Sequence, residues 1–152
     1  MKSRIYTDTS VFGGCFDDEF SEHSKKFIEQ LKTGKQILVI SDLTIRELEG
    51  APRKVKDLFQ ALPKMFVEYV ALDKEARDLA DKYIEEQALT RKSFVDAQHI
   101  AIATTNHVDV LVSWNFKHIV NLRRIRLFNA ANLKYGYSFI EIRSPREIID
   151  EG

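Results

Sequence analysis

The sequence predicts an α/β fold, a three-layer α/β/α arrangement with a central, mainly parallel five-stranded sheet. Three observations carry the prediction. Strand-length apolar runs alternate with helix-length segments along the 152 residues, the pattern of a parallel sheet with helices on both faces. The run Ile37-Leu38-Val39-Ile40 is continuously apolar, as expected of a strand covered on both sides. Glycine and proline punctuate the joints, at Gly34, Gly50, Pro52, Pro63, Gly136 and Pro145.

Residues 3–8 read as the first strand. The helix over 21–33 carries Phe27, Ile28 and Leu31 and ends at Gly34. Residues 36–41 form the second strand, followed by helices at 43–49 and 53–61 that break at Gly50-Ala51-Pro52. Beyond Pro63, residues 66–70 form the third strand. Asp73 caps a helix over 74–88, whose Ala76, Leu79, Ala80, Tyr83 and Ile84 make an apolar stripe. Ser93 caps the next, 94–105, with Ala97, Ile100, Ala101 and Ala103-Thr104 facing inward. Residues 109–113 are the fourth strand, a helix near 127–134 ends at Gly136, and 138–143 is the fifth strand before Pro145. With no repeat or linker, residues 1–152 read as a single domain.

An apolar fraction of 44% and a charged fraction of 30% are those of an ordinary globular protein. Lysine plus arginine and aspartate plus glutamate both number 23, so the formal net charge is zero. That excludes a broad, non-specific electrostatic grip on nucleic acid and leaves room for a local basic patch. No run is long enough to span a membrane, and no secretory leader precedes the first strand. Cys15, alone, forms no intramolecular disulfide, which fits a reducing cytoplasm.

The acids carry the chemistry. Asp8 closes the first strand, Glu47 follows the second, and Asp96 opens the helix before the fourth. In a parallel sheet the strand ends converge on one crevice. Three carboxylates there repel one another unless a cation sits among them, and all-oxygen ligation suits Mg²⁺ or Mn²⁺. The expectation is a metal-dependent phosphodiesterase, foremost a ribonuclease. Each acid also has an ordinary explanation. Thr44-x-x-Glu47 and Ser93-x-x-Asp96 resemble capping boxes, and Asp8 is placed to cap a turn. Other acids fit the crevice worse. Glu49 faces away from Glu47, Asp42 suits a helix cap, Asp109 lies at the opposite strand end, and Asp17-Asp18-Glu19 reads as a solvated loop.

Asn115, just past the fourth strand, offers a carbonyl oxygen to a cation, or serves a tight turn. Thr9, Ser10 and Ser113 are placed to hydrogen-bond ligands from behind. Lys117 is the best-placed substrate cation, with Arg46, His118, Arg123, Arg124 and Arg126 as further candidates. His99, three residues after Asp96, shares its helical side and reads as an outer group or a packed histidine. Trp114 and Phe116 read as base-stacking or core residues, and Phe12-Gly13-Gly14 as a flexible turn. No phosphate-binding glycine loop, nucleophile elbow or Cys/His metal spacing occurs. A phosphoryl-transfer protein with Asp8 as nucleophile ranks last, because Ser10 stands where such phosphatases carry a second Asp.

The ordered set Tyr6-Thr7-Asp8-Thr9-Ser10, Ser41-x-x-Thr44-x-x-Glu47-Leu48, Asp96-Ala97-x-x-Ile100-Ala101-x-Ala103 and Leu111-Val112-Ser113-x-Asn115-Phe116 resembles the PIN domain. The likeness is greatest to VapC-type toxin ribonucleases of bacterial toxin–antitoxin pairs. It implies metal-coordinating residues at Asp8, Glu47 and Asp96, with a fourth acid at the place held here by Asn115. It implies single-stranded RNA as substrate, a cognate antitoxin as partner and a homodimer. The departure at Asn115 keeps a rival open, a PIN-like scaffold that binds RNA without cutting it.

Overall fold

A computed structural model of the chain describes residues 2–149. Five strands form one wholly parallel sheet: β1 (Ser3–Thr7), β2 (Gln36–Ser41), β3 (Val67–Val70), β4 (Val110–Val112) and β5 (Ile142–Arg143). Their spatial order is β3-β2-β1-β4-β5. The chain builds outward from β1 to β3, then returns to add β4 on the other side of β1. The β1/β4 boundary is therefore the point where strand order reverses, where open parallel sheets bind their ligands.

Alternation along each strand feeds two cores. Ile5, Leu38, Ile40, Val110 and Val112 face one side, with α1 (Ser10–Gly13), α2 (Ser21–Lys32) and α4 (Arg53–Gln60). Tyr6, Val39 and Leu111 face the other, with α5 (Lys74–Glu85), α6 (Phe94–Thr105) and α7 (Leu122–Lys134). α3 (Asp42–Glu49) follows β2 directly, and α8 (Pro145–Ile148) packs on α2. α6 is the inner helix of its layer, with Ala97, His99, Ile100, Ala101, Ile102, Ala103 and Thr104 all buried. Among the described residues no helix is long and apolar enough to cross a membrane.

Several expected boundaries shift for local reasons. The fifth strand shrinks from 138–143 to Ile142–Arg143 because Asn129 on α7 claims the Ile140 backbone, accepting from its N–H at 2.8 Å and donating to its carbonyl at 3.1 Å. Phe139, beside it, is exposed. α5 stops at Glu85 rather than 88, since Gln87 takes a left-handed φ of 63° and the Ala88 amide folds back onto the Tyr83 carbonyl at 2.9 Å. α7 starts five residues before the expected 127, at Leu122, where the Asn121 side chain accepts from the Arg124 amide. β3 begins at Val67, after a 3₁₀ turn over Lys64–Phe66, and β1 ends at Thr7.

The helix starts also differ in part. Asp73 caps α5 as expected, accepting from the Ala76 amide at 2.9 Å. Ser93 does not cap α6; it ends a 3₁₀ turn, and its hydroxyl lies 3.4 Å from His118 Nε2. Ser41, neither Asp42 nor Thr44, caps α3. Asp42 instead accepts from the Leu72 amide. Gly13 and Gly14 are not a flexible turn, because α1 and a 3₁₀ turn fill that stretch and Phe12 is fully buried. Gly14 is there for closeness. A Cβ on it would lie 2.7 Å from Trp114 Nε1.

Candidate active site

Asp8 and Ser113 meet where β1 and β4 end. Thr7 pairs with Val112, so the next residue of each strand stands side by side past the sheet edge. Ser113 Oγ donates to Asp8 Oδ2 at 2.8 Å, while Asp8 Oδ1 accepts from the Ser10 hydroxyl and amide. Ser10 Oγ in turn accepts from the Trp114 amide at 3.0 Å. The turn-capping reading of Asp8 and the ligand reading are thus both compatible with its place. Asp8 is 7% exposed, and burial pushes its carboxyl above the usual range despite His99 and the two serine hydroxyls. A buried carboxyl so raised favours a cation beside it.

Glu47 is carried in by α3. Ser41 caps that helix, and Thr44 Oγ1 donates to the Thr7 carbonyl at 3.3 Å, fastening α3 to the end of β1. Glu47 Oε1 then receives both Thr9 Oγ1 at 3.0 Å and His99 Nε2 at 2.9 Å. Burial alone would raise its pKa, but His99 and Thr9 together hold it below the usual range. His99 is 1% exposed, and its other nitrogen, Nδ1, lies 2.6 Å from the Tyr6 hydroxyl. Tyr6 also meets Ser41 Oγ at 2.8 Å, and burial drives its phenol pKa upward, so it stays neutral. The chain Ser41–Tyr6–His99–Glu47 assigns His99 a tautomer with Nε2–H toward the carboxylate.

Asp96, in the first turn of α6, faces His118, whose Nδ1 lies 3.0 Å from Asp96 Oδ2. His118 is held by Asn115, whose Oδ1 accepts from the His118 amide at 3.0 Å. The Asn115 amide itself donates to Ser113 Oγ at 3.0 Å. The turn role of Asn115 is therefore realised, and its oxygen has one remaining lone pair for a cation or water.

The four positions are linked by one path of hydrogen bonds, bridged at one step by the backbone between Asp8 and Thr9. It runs from Glu47 through Thr9 to the Asp8 turn, through Ser113 to Asn115, and through His118 to Asp96. Yet among the described residues no three Asp, Glu, His or Cys side chains gather into a ready-made metal cage. The donor chemistry nonetheless fits a hard divalent ion. Among the described residues Glu47 Oε2 and Asp96 Oδ1 have no hydrogen-bond or ion-pair partner, while the second oxygen of each is taken by an imidazole.

Other sequence-derived candidates fall elsewhere. Asp109 lies at the far end of β4, accepting from the Arg4 amide at 2.7 Å. Asp17, Asp18 and Glu19 are exposed, as are Arg46 and Lys117. Arg124 is structural, donating to the carbonyls of Lys117 and Ala88. Trp114 is core, stacked on Phe20 at 4.3 Å with its indole N–H on Ser24, whereas Phe116 is exposed. The reading of sequence missed Tyr6 and the His118–Asp96 contact. Both had a signal: Tyr6 is two residues before Asp8 on a strand, and Asn115-x-x-His118 is the spacing at which a capping Asn takes the amide three residues on.

Comparison with known proteins agrees with this architecture. The toxin–antitoxin complex VapBC2 of Rickettsia felis, bound to a promoter DNA fragment, superposes with a TM-score of 0.58 at 12% identity, covering 93% of this chain and 98% of that one. VapC20 of Mycobacterium tuberculosis, described as a sarcin-ricin-loop-cleaving toxin, gives 0.57 at 15% identity over 90% and 98%. FitAcB of Neisseria gonorrhoeae gives 0.54 at 14% over 95% and 99%. At these identities the likeness is one of fold. No curated protein matches the sequence. The PIN domain family model matches residues 5–117, a span that runs from β1 past Asp8, Glu47, Asp96 and Asn115, and on that match the chain belongs to the PIN domain family.

Proposed function

We propose that this protein is a Mg²⁺- or Mn²⁺-dependent endoribonuclease of the VapC type, cutting single-stranded RNA in the cytoplasm. The observation that carries the reading is the pair of half-held carboxylates, Glu47 and Asp96, joined to buried Asp8 by hydrogen bonds and the Asp8–Thr9 backbone. Asp8, Glu47 and Asp96 would hold the ion, with Asn115 lending at most one neutral oxygen. A bound divalent ion supplies neutralisation of phosphate charge and a more acidic water.

The chain's own residues do the rest. Ser10 and Ser113 orient Asp8, and Thr9 and His99 orient Glu47 and keep it anionic. Lys117, exposed two residues after Asn115, would meet a phosphate of the incoming strand. No side chain acts as nucleophile. The solved neighbours are toxin–antitoxin proteins, which supports an antitoxin as partner, and the homodimer is what the resemblance of the motifs implies.

The rival reading is a PIN scaffold that binds RNA without cleavage, favoured by Asn115 and by the absence of a ready-made cage among the described residues. Cleavage of single-stranded RNA with Mn²⁺ separates the two. Outer partners of a metal are worth up to 100-fold, so Asp8→Asn or Asp96→Asn should cost at least about 100-fold. Wild-type rates in both variants would refute the nuclease assignment. RNA binding without cleavage by the wild type would favour the scaffold.

A further inference from the structure

We infer that two imidazoles, rather than a fourth acid, complete this site: His99 and His118 are positioning residues that each fix one oxygen of a carboxylate and leave the other for the ligand. The inference rests on the divalent-ion reading above. His99 Nε2 holds Glu47 Oε1 at 2.9 Å, and His118 Nδ1 holds Asp96 Oδ2 at 3.0 Å. The partner oxygens, Glu47 Oε2 and Asp96 Oδ1, have no protein hydrogen bond among the described residues. A carboxylate held this way presents its free oxygen, with both its lone pairs, in a fixed orientation.

Both imidazoles are themselves over-determined. His99 is buried between Tyr6 and Glu47, and the Tyr6 hydroxyl occupies the ring nitrogen that does not face the acid. His118 has its backbone amide on Asn115 Oδ1 and its Nε2 3.4 Å from Ser93 Oγ. Position 115 thus serves the site through His118. An asparagine there caps the turn that delivers an imidazole to Asp96, which is why the side chain can lack charge.

The test uses the metal-free protein and Mn²⁺ alone, with affinity read by electron paramagnetic resonance and folding by circular dichroism. An Asn amide can replace Nδ1 and a Gln amide can replace Nε2. His118→Leu and His99→Leu should weaken Mn²⁺ binding about 10- to 100-fold. His118→Asn and His99→Gln should restore most of it, while His118→Gln, whose amide sits at the wrong depth, should not. This last variant is polar and part-exposed, so it keeps the test decisive if the buried leucine at position 99 prevents folding.

Asn115→Ala should weaken binding in the wild-type background and add nothing in His118→Leu, because it acts through that residue. Nitrogen-15 spectra of the two rings should keep the Nδ1–H of His118 and the Nε2–H of His99 hydrogen-bonded when Mg²⁺ is added. Wild-type affinity in both leucine variants overturns the inference, provided Asp8→Asn abolishes binding. Tighter binding in the leucine variants also overturns it, since the imidazoles would then compete with the ion. No saturable Mn²⁺ binding by the wild type overturns the nuclease reading and this inference together.

Discussion

Ser113 Oγ donates to Asp8 Oδ2 at 2.8 Å and so ties the end of β4 to the end of β1 at the reversal of strand order. Its hydroxyl also accepts from the Asn115 amide, giving one atom a part in both strand ends. Ser113→Ala removes both bonds and should destabilise the fold by about 1–2 kcal/mol. It should also weaken Mn²⁺ binding while leaving the spectrum of a folded protein. Unchanged melting and unchanged binding together would show the contact to be idle.

Asp8 predicts a pH signature. Its folded carboxyl holds a proton more tightly than the unfolded one, because burial outweighs its serine partners. Without metal, stability from this group is therefore lost as pH rises from the ordinary carboxylate range through the raised folded pKa. Asp8→Asn removes that loss, so the metal-free variant should melt higher than wild type at pH 7 and no higher near pH 3. Mg²⁺ should raise wild-type melting and leave the variant where it was. Thermal melts at the two pH values check both statements.

Glu47 carries the opposite sign. Its lowered pKa contributes stability above the ordinary carboxylate range that disappears as pH falls through the folded value. Glu47→Gln should thus narrow the gap between neutral and acid melting temperatures, the reverse of Asp8→Asn. A gap that widens would mean the hydrogen bonds from His99 and Thr9 do not stabilise the anion.

Tyr6→Phe deletes a buried hydroxyl that serves His99 Nδ1 and Ser41 Oγ. Leaving both without that partner should cost about 1–3 kcal/mol in denaturant unfolding. The His99 ring should keep its Nε2–H on Glu47 while Nδ1, having lost its donor, moves in its nitrogen-15 shift. A neutral substitution would disprove the relay.

Two controls lie outside the site. Asp109→Ala removes the acceptor of the Arg4 amide at the far end of β4 and should cost about 1 kcal/mol, with Mn²⁺ affinity unchanged. Gly14→Ala pushes a methyl against Trp114 and Ser24, and overpacking there should cost about 1–3 kcal/mol in chemical denaturation. An alanine tolerated at 14 would mean the 3₁₀ turn can move.

The sequence by itself determined the sheet, the five strands in order, most helices and the three candidate acids, Asp8 and Glu47 after strands and Asp96 at a helix start. It could do so because these rest on local signals: apolar period, glycine and proline punctuation, and the parallel-sheet rule that loops after strands share a crevice. Only the tertiary structure decided what each acid touches. His99 reaches Glu47 across 52 residues of chain, and Ser113 reaches Asp8 across 105. The fifth strand was shortened by a side chain on α7, a competitor no strand propensity encodes. Asn115 reads alike as ligand or turn until His118 is seen resting on Asp96. Hydrogen bonds between residues remote in sequence depend on the packing of whole elements, and packing leaves no local mark in the chain.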